Sequence, residues 1–507
     1  MQDDPPAPPA PAVTRGDVAR GAGLAGLSRL GALIEALAQP LYTWLFGLST
    51  YGIYIVLWGA VNLATNIVHL SMPLALQRVV PAEDEEGAHG AVRLALLIAL
   101  VPSSLIALAV TLNAHAVAAI FSAAPEDSAR LPLAVALFAW SLPLWTFIEV
   151  ATAAARARRA FGPEIRLRIF WEQIARILFA LGFFAAGAGS LGLIAAHLCS
   201  LGVTALLCVR LLGRYYDLRL ILRAPLPRGE AGKLVATGLG LLPSNLARRA
   251  LIDAPPVVLN LMLPGARGAS AAALFEIARK ISTVPLIVRQ AFQYVLGPLS
   301  SAQAHVDRGQ IGPLYHFASR VSTALVVPLS GLLVFAGVDV LSLYRPEAQG
   351  ALPLLFILVG ARAVEAIVGP ASAIVEMIGH RVLPTLNAFI AVALFAAIAF
   401  WLVPATGPLG MAVAIGAATI VSTYAATVEL QLSDGLNPFD YKLVQGLGLA
   451  LAGCALMWGA EQALHGPARF AACTILWAAT SWLTLRYGLT REDRLALGGL
   501  SRSLRLA

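Results

Sequence analysis

The residues best placed to do chemistry are charged side chains standing inside long apolar stretches. Arg29 and Glu35 share one such stretch, Glu149 stands in another, and Glu172 with Arg176 in a third. Arg248, Arg249 and Asp253 form a group, followed by Glu276, Arg279, Lys280 and Arg289, and then by Arg362, Glu365 and Glu376. An ionisable group at the depth of a lipid bilayer costs ~2.5 to 3.5 kcal/mol on insertion scales, so each needs a partner or a wet path. Two chemistries follow. Guanidinium and ammonium groups hold phosphate through paired, charge-assisted hydrogen bonds. Carboxylates in a medium of low dielectric can take up and release a proton.

Spacing sorts these groups. Glu172 with Arg176, Arg249 with Asp253, and Glu276 with Lys280 stand at i,i+4, and Arg362 with Glu365 at i,i+3, all suited to pairing within one helix. Such pairs would let a marginal helix insert. They leave a surplus of cations between residues 234 and 298, where Arg248, Arg249, Arg279, Lys280 and Arg289 outnumber Asp253 and Glu276. The candidate anion-binding set, suited to a pyrophosphate, is therefore Arg29, Arg248, Arg249, Arg279, Lys280 and Arg289. Nine or ten residues turn a helix by roughly 180 to 280 degrees, so Arg289 does not share a face with both Arg279 and Lys280. The candidate ion-coupling set is Glu35, Asp253, Glu276, Glu365 and Glu376. Arg362, Glu365 and Glu376 fall near one helical face, with Gly369-Pro370 between them as an expected kink. Pairing of Glu376 with His380 or Arg381 is its simplest structural role.

No nucleophile, metal or nucleotide motif accompanies these charges. The sequence lacks H-E-x-x-H, G-x-S-x-G and G-x-x-x-x-G-K-[ST], and no two histidines have metal-ligand spacing on a helix. No cofactor or metal is expected, and no enzymatic activity. Cys199, Cys208, Cys454 and Cys473 all lie in apolar runs and read as packing residues.

The elements that must position these groups are membrane helices. Only 13% of the 507 residues are charged and 58% are hydrophobic, against about 25% charged in soluble domains, which excludes a cytosolic enzyme. The net charge of +8 sits in short connections between apolar runs, a pattern for membrane lipid rather than nucleic acid. Fourteen runs between residues 24 and 487 approach the ~20 residues that cross a bilayer. Basic residues gather in alternate connections: Arg156, Arg158, Arg159, Arg166 and Arg168 in one, Arg214, Arg219, Arg223, Arg228 and Lys233 in another, and Arg491, Arg494, Arg502 and Arg505 at the end. The intervening connections hold only Arg130, Arg267, Arg345 and Arg469. By the positive-inside rule both termini are cytoplasmic, in a multi-pass protein of the inner membrane.

A repeat recurs at an offset of roughly 220 residues. L-F-G-L-S-T-Y-G (45–52) answers L-P-G-A-R-G (263–268), Leu131-Pro132-Leu133 answers Leu352-Pro353-Leu354, and A-F-G-P (160–163) answers I-G-H-R (378–381). The expected fold is all-α and polytopic, with about fourteen transmembrane helices in two six-helix, pseudo-symmetric lobes plus two C-terminal helices. The expected divisions are a disordered cytoplasmic tail (1–22), an N-lobe (23–211), a cytoplasmic linker (212–233), a C-lobe (234–430), two further helices (431–487) and a cytoplasmic tail (488–507). A cleft between lobes is the expected substrate path.

The stretch S-R-L-G-A-L-I-E-A-L-A-Q-P-L-Y-T-W-L-F-G-L-S-T-Y-G-I-Y (28–54), then M-P-L-A-L-Q-R-V-V-P (72–81) and L-Y-R-P-E-A-Q-G-A-L-P-L-L-F-I-L (343–358), resembles the polysaccharide-exporting, Wzx-like branch of the MOP exporter superfamily. The resemblance implies a V-shaped pair of lobes, alternating access, and outward flipping of an undecaprenyl-pyrophosphate-linked oligosaccharide for surface polysaccharide synthesis. The partners it implies are the lipid-linked glycan, membrane lipids, a polysaccharide polymerase and glycosyltransferases. It carries over no individual residues. The main alternative is an ion-coupled multidrug or cation antiporter of the same superfamily, for which an acidic, aromatic-lined cavity is expected. A membrane glycan polymerase or ligase would need a long outer loop, and the longest outer connection, about 113 to 130, is short.

Overall fold

A computed structural model describes residues 31–158, 160, 167, 170–223, 230–290, 311–378 and 382–506. Among the described residues there are fourteen principal helices. They are α1 (Gly31–Phe46), α2 (Leu48–Val68), α3 (Glu85–Leu112), α4 (Leu131–Ala139, continued by Ser141–Ala157), α5 (Glu172–Ala185), α6 (Leu191–Tyr215) and α7 (Glu230–Met262). There follow α8 (Ala266–Ile281, continued over 283–290), α9 (Ile311–Phe335), α10 (Leu352–Ile367, resumed as Ala371–Ile378), α11 (Leu383–Thr406), α12 (Pro408–Asp434), α13 (Tyr441–Ala463) and α14 (Gly466–Tyr487). Among the described residues, nine helices are long and apolar enough to cross a membrane. The protein is an all-α, multi-pass membrane protein.

The helices run alternately up and down, so the bundle has two ends. The end bearing the turns at Gly47, Gly265 and Gly407 is called distal, and the end bearing His69 and Asp440 proximal. Every backbone polar group in hydrocarbon must be satisfied within its own segment, which is why the apolar runs become helices. Polar residues at the proximal ends fix where they start. Asp84 caps α3 by accepting from the Gly87 amide at 2.7 Å, with Glu85 and Glu86 in the first turn, where carboxylates complement the helix dipole.

Packing repeats with a step of six helices. α5 lies against α6 as α11 lies against α12, α4 against α6 as α10 against α12, and α3 against α4 as α9 against α10. The turn residues repeat as well. Gly47 precedes α2 with φ +88, and Gly265 precedes α8 with φ +62, an offset of 265 − 47 = 218 residues. Both adopt the positive φ that glycine reaches without cost. Pro125-Glu126 and Pro346-Glu347 open the short helical turns before α4 and α10, an offset of 346 − 125 = 221. α13 and α14 pack on α9. Arg320 on α9 holds them in place: it pairs with the α13 N-cap Asp440 (Nε to Oδ1 3.2 Å) and with fully buried Asp493 beyond α14 (2.5 Å).

The two sets of six meet along α2, α7 and α8, and at the distal end they are bolted together. Asn260 at the end of α7 accepts from the Ser122 amide (2.9 Å) and donates to its carbonyl (2.7 Å). Trp44 on α1 donates its indole N–H to the Leu343 carbonyl (2.9 Å), while Arg345 donates back to the Trp44 carbonyl (3.2 Å). α7 is the long element of the joint. Its 33 residues would span about 50 Å at 1.5 Å per residue, well beyond the hydrocarbon, and it carries Pro243, Pro255 and Pro256 inside.

Candidate functional site

Neighbouring residues on α7 reach into opposite halves of the molecule. Arg248 donates to both carboxylate oxygens of Glu376 on α10, at 3.2 and 3.3 Å. Arg249 lies 3.9 Å from the carboxylate of Glu149 on α4. Consecutive helical residues diverge by ~100 degrees, and α7 lies between the two sets of six, so the two guanidinium groups turn to either side. Both stand about 20 Å in from the distal end of α7 at 1.5 Å per residue. Their side chains are 54% and 40% exposed, and Glu376 is 43% exposed.

Around them lies a mixed cluster. Asp253, one turn on from Arg249, sits within electrostatic reach of Arg249, Arg279, Glu276 and Glu149. Glu276 on α8 is buried and held by Arg279 through two bonds of 2.6 and 2.7 Å. On α4, Glu149 is buried and accepts from His69 Nε2 at 3.2 Å. His69 caps the end of α2, and its Nδ1 accepts the Ser71 amide at 3.1 Å. Ser71 in turn touches α7, where Asn245 reaches both Ser71 Oγ (3.4 Å) and Asn66 Oδ1 (3.3 Å).

A second cluster is separate and closed. Arg289 is buried between α8, α10 and α12. It donates to Glu365 at 2.9 Å and to the Gly369 carbonyl at 3.2 Å, with Ser372 and Thr423 at 3.4 and 3.5 Å. Arg362 binds the other Glu365 oxygen at 2.6 Å, and the Thr423 hydroxyl donates to Glu365 at 3.2 Å. Gly369, at φ +60, breaks α10 here and offers its carbonyl to Arg289. The break also parts two carboxylates whose spacing suggested one face. Glu365 is buried with Arg289, whereas Glu376 reaches α7.

In this arrangement the expected anion-binding set divides. Arg248, Arg249 and Arg279 gather around α7 and α8, and Lys280, half-buried, follows Arg279 on the same helix. Arg289 belongs to the closed cluster. Arg29 lies outside the described residues, as does the side chain of Glu35 on α1. The cation surplus counted on α7 and α8 is met across helices, because Glu149, Glu365 and Glu376 come from α4 and α10. Glu376 pairs with Arg248; His380 and Arg381, the partners expected from sequence, lie outside the described residues.

Sequence reasoning passed over two participants. Arg320, inside the ninth apolar run, anchors α13 and the C-terminal segment. His69 was given no role; the polar pair Asn62 and Asn66 one and two turns earlier was the available signal. The described residues hold no cluster of three or more His, Cys, Asp or Glu side chains suited to a metal ion, and none of the four cysteines is in a disulfide.

No protein-family model matches the chain, and no curated protein matches it. Solved structures do match in fold. One is described as the lipid II flippase MurJ in an inward closed conformation: TM-score 0.68, 11% identity, covering 92% of this chain and 97% of that one. Another is an inward-facing multidrug resistance MATE family transporter of the MOP superfamily, with a TM-score of 0.61 and 15% identity, covering 83% and 95%. A third is a MOP-superfamily transporter from Pyrococcus furiosus, described as having a binding pocket of reverse polarity that suggests a different function. Its TM-score is 0.60 at 15% identity, covering 83% and 96%. The chain has the fold of these transporters over most of its length.

Proposed function

We propose that this protein is a flippase that carries a lipid-linked oligosaccharide, joined to its polyprenyl chain by a pyrophosphate, across the inner membrane for surface polysaccharide synthesis. It works as a transporter without catalytic chemistry, both termini lie in the cytoplasm, and glycosyltransferases and a polymerase act before and after it. The observation that carries this reading is the pair Arg248 and Arg249, consecutive on α7 where the two halves meet, with 54% and 40% of their side chains exposed. Exposed ion pairs are worth only ~0 to 1 kcal/mol. A pyrophosphate, with more charge and more acceptor oxygens, can take both guanidinium groups from Glu376 and Glu149.

The two arginines then supply a mechanism. Each is tied to a different half of the protein, so an anion binding both exchanges two contacts between α7 and the halves for one contact with substrate. That loosens α7 and lets the halves rock. Asp253, Glu276, Glu365 and Glu376, with Glu35, are the groups proposed to respond to ion gradients, and Arg279 and Lys280 complete the proposed basic lining, from which burial with Glu365 removes Arg289. The polyprenyl tail stays in lipid throughout. The solved flippase of lipid II has the same fold, which supports a lipid-linked substrate.

The test is reconstitution of the full chain in liposomes with a fluorescent polyprenyl-pyrophosphoryl oligosaccharide, reading loss of inner-leaflet label. Replacing Arg248 and Arg249 together by alanine is expected to slow flipping at least tenfold. Unchanged flipping removes these residues from the site. The competing reading, a cation antiporter, draws on the carboxylates Asp253, Glu149 and Glu276 near the same place. It requires uptake of an organic cation such as tetraphenylphosphonium and no movement of the labelled lipid.

A further inference from the structure

The segment that follows α14 is folded back on the bundle and fastened there. A capping box starts helix Arg491–Ala496: Thr490 Oγ1 accepts from the Asp493 amide and Asp493 accepts from the Thr490 amide, both at 3.1 Å. The chain reverses through helix Gly499–Ser503 and returns to α14. There Trp482 donates its indole N–H to the Leu504 carbonyl at 2.9 Å, and Arg486 donates to the Arg505 carbonyl at 2.7 Å. Arg505 turns at φ +52, a conformation that non-glycine residues seldom adopt. Beyond that turn the Leu506 amide bonds the Ser501 carbonyl at 2.9 Å, and the Leu506 side chain is fully buried among Leu485, Leu489 and residues of α9.

The place of attachment is a membrane boundary. α13 is one of the helices long and apolar enough to span, and α14 packs along it. Lys442 at the start of α13 donates to the Tyr487 carbonyl at the end of α14 (3.1 Å), so the two ends are level. Phe439, Tyr441 and Tyr487 are exposed at this level, as aromatic side chains are where hydrocarbon gives way to headgroups. Ile475, Trp482 and Leu483, which α14 leaves exposed on one face, mark its lipid-facing flank. Trp482 stands roughly 7 to 8 Å in from the end of α14, so its bond to Leu504 lays the returning chain against that flank.

The side chains this bracket turns outward are basic and apolar. Arg491 and Leu495 stand at i,i+4 on one short helix, and both are exposed. Arg502, Leu504 and Arg505 are exposed along the return. Of the two acids in the segment, Asp493 is buried on Arg320 and Glu492 is exposed. We propose that segment 491–506 is a docking surface for anionic phospholipid, with Leu495 and Leu504 entering the edge of the hydrocarbon while Arg491, Arg502 and Arg505 hold headgroup phosphates above it. Guanidinium groups match phosphate through paired hydrogen bonds, and their stems can lie along apolar surface while the charge rises to the headgroups. A zwitterionic surface receives the leucines equally well but offers the arginines no net charge, so the preference for anionic lipid comes from the arginines alone. Each basic residue close to an anionic surface strengthens binding roughly fivefold. Lipid held there anchors α13 and α14 at the boundary, apart from the joint at α7.

The experiment places a nitrobenzoxadiazole label on Leu495→Cys in the full-length protein, with Cys199 and Cys454 replaced by serine. The protein is reconstituted in phosphatidylcholine nanodiscs containing a minor share of lipid with a nitroxide on its acyl chain, either phosphatidylglycerol or phosphatidylcholine. The quencher reports the lipid beside the label, so basic patches elsewhere on the protein do not enter the reading. Nitroxide phosphatidylglycerol is expected to quench at least about twofold more than nitroxide phosphatidylcholine, with the preference shrinking in high salt. In Arg491→Gln/Arg502→Gln/Arg505→Gln the preference should vanish while both lipids still quench, and lysine at the same three positions should retain it. Equal quenching by the two lipids in the parent protein means that the segment touches lipid without selecting a headgroup, and overturns the proposal. Absence of quenching by either places the segment in water and overturns it too. A preference that survives the triple glutamine variant belongs to other charges, with the same consequence. Where that variant does not fold, each single glutamine replacement should lower the preference in part, and a preference unchanged in all three overturns the proposal.

Discussion

Gly52 on α2 and Ala269 on α8 cross with their backbones in contact: a Cβ added at Gly52 would run into the Ala269 carbonyl oxygen and stand 2.6 Å from its carbon. The obstacle is main chain, so no side-chain rotation relieves it. This crossing lies one turn in from Gly47 and Gly265, at the distal end, and it sets how closely the two halves can approach there.

Gly52→Ala is therefore expected to push the distal ends apart, at a cost of about 1 to 3 kcal/mol to this conformation. A cysteine at Ala272, fully buried on α8, should react with maleimide several-fold faster in the Gly52→Ala background, with Cys199 and Cys454 replaced by serine. Gly182→Ala on α5, where nothing lies within 4 Å of the added methyl, should leave the rate unchanged. Equal rates in both would mean that the halves do not close on this contact.

The second distal contact behaves differently because it is polar. Asn260 is fully buried and satisfies both the N–H and the C=O of Ser122, as a neighbouring peptide would. Asn260→Leu strands two backbone groups at ~1 to 3 kcal/mol each. Asn260→Asp keeps the acceptor and loses the donor, placing a carboxylate against the Ser122 carbonyl. Both substitutions should lower the thermal unfolding midpoint in detergent, and the isosteric aspartate should be no better tolerated than leucine. A midpoint preserved in Asn260→Asp would contradict the paired geometry.

What the sequence disclosed and what it hid differ by range. Helices, their alternation and the six-helix repeat rest on runs of adjacent residues, and Gly47 and Gly265 mark the repeat because both turns need positive φ. Pairs inside one helix, Glu172 with Arg176 and Arg362 with Glu365, were legible from spacing and are present. Partners on different helices were not. Arg289 and Glu365 are 76 positions apart and Arg248 and Glu376 are 128 apart, and nothing local connects them. The surplus of cations on α7 and α8 was a true count of those helices alone. His69 was hidden for another reason: its role depends on the left-handed turn at Leu70 and Ser71, which neither residue type announces.

Acid should loosen the C-terminal helices. Burial by itself would raise the Asp440 carboxyl, but hydrogen bonds from Arg320 and from the Leu443 amide, with the Arg320 charge, outweigh it and hold the group below its ordinary value. A carboxylate depressed in the folded state stabilises above its unfolded titration, near pH 4, and loses that contribution as pH falls through the lower folded value. The unfolding midpoint should therefore drop below pH 4 in wild type. In Asp440→Asn it should start lower at neutral pH and fall less steeply in acid. Parallel curves for the two proteins would show that Asp440 does not titrate with folding.

Two arginines on adjacent helices should part company when function and stability are measured together. Arg289 is buried and bonded to Glu365, Gly369, Ser372 and Thr423. Removing it leaves Glu365 buried with only Arg362 and the Thr423 hydroxyl and takes the Arg289 donor from the Gly369 carbonyl, and breaking a buried pair commonly costs ~3 to 5 kcal/mol. Arg248 is 54% exposed and its pair with Glu376 is more than 40% exposed on both sides, so its loss should cost at most ~1 kcal/mol of stability. If Arg248 serves substrate, Arg248→Ala should keep its unfolding midpoint within a few degrees while flipping of the labelled lipid falls several-fold. Arg289→Ala should lower the midpoint by much more, with flipping lost in proportion to folded protein. Restoring the amount of folded Arg289→Ala by lowering temperature should then restore flipping, whereas cooling should do nothing for Arg248→Ala. The opposite pattern, with Arg248 carrying stability and Arg289 carrying transport, would move the proposed anion site out of the joint at α7 and into the closed cluster beneath Gly369.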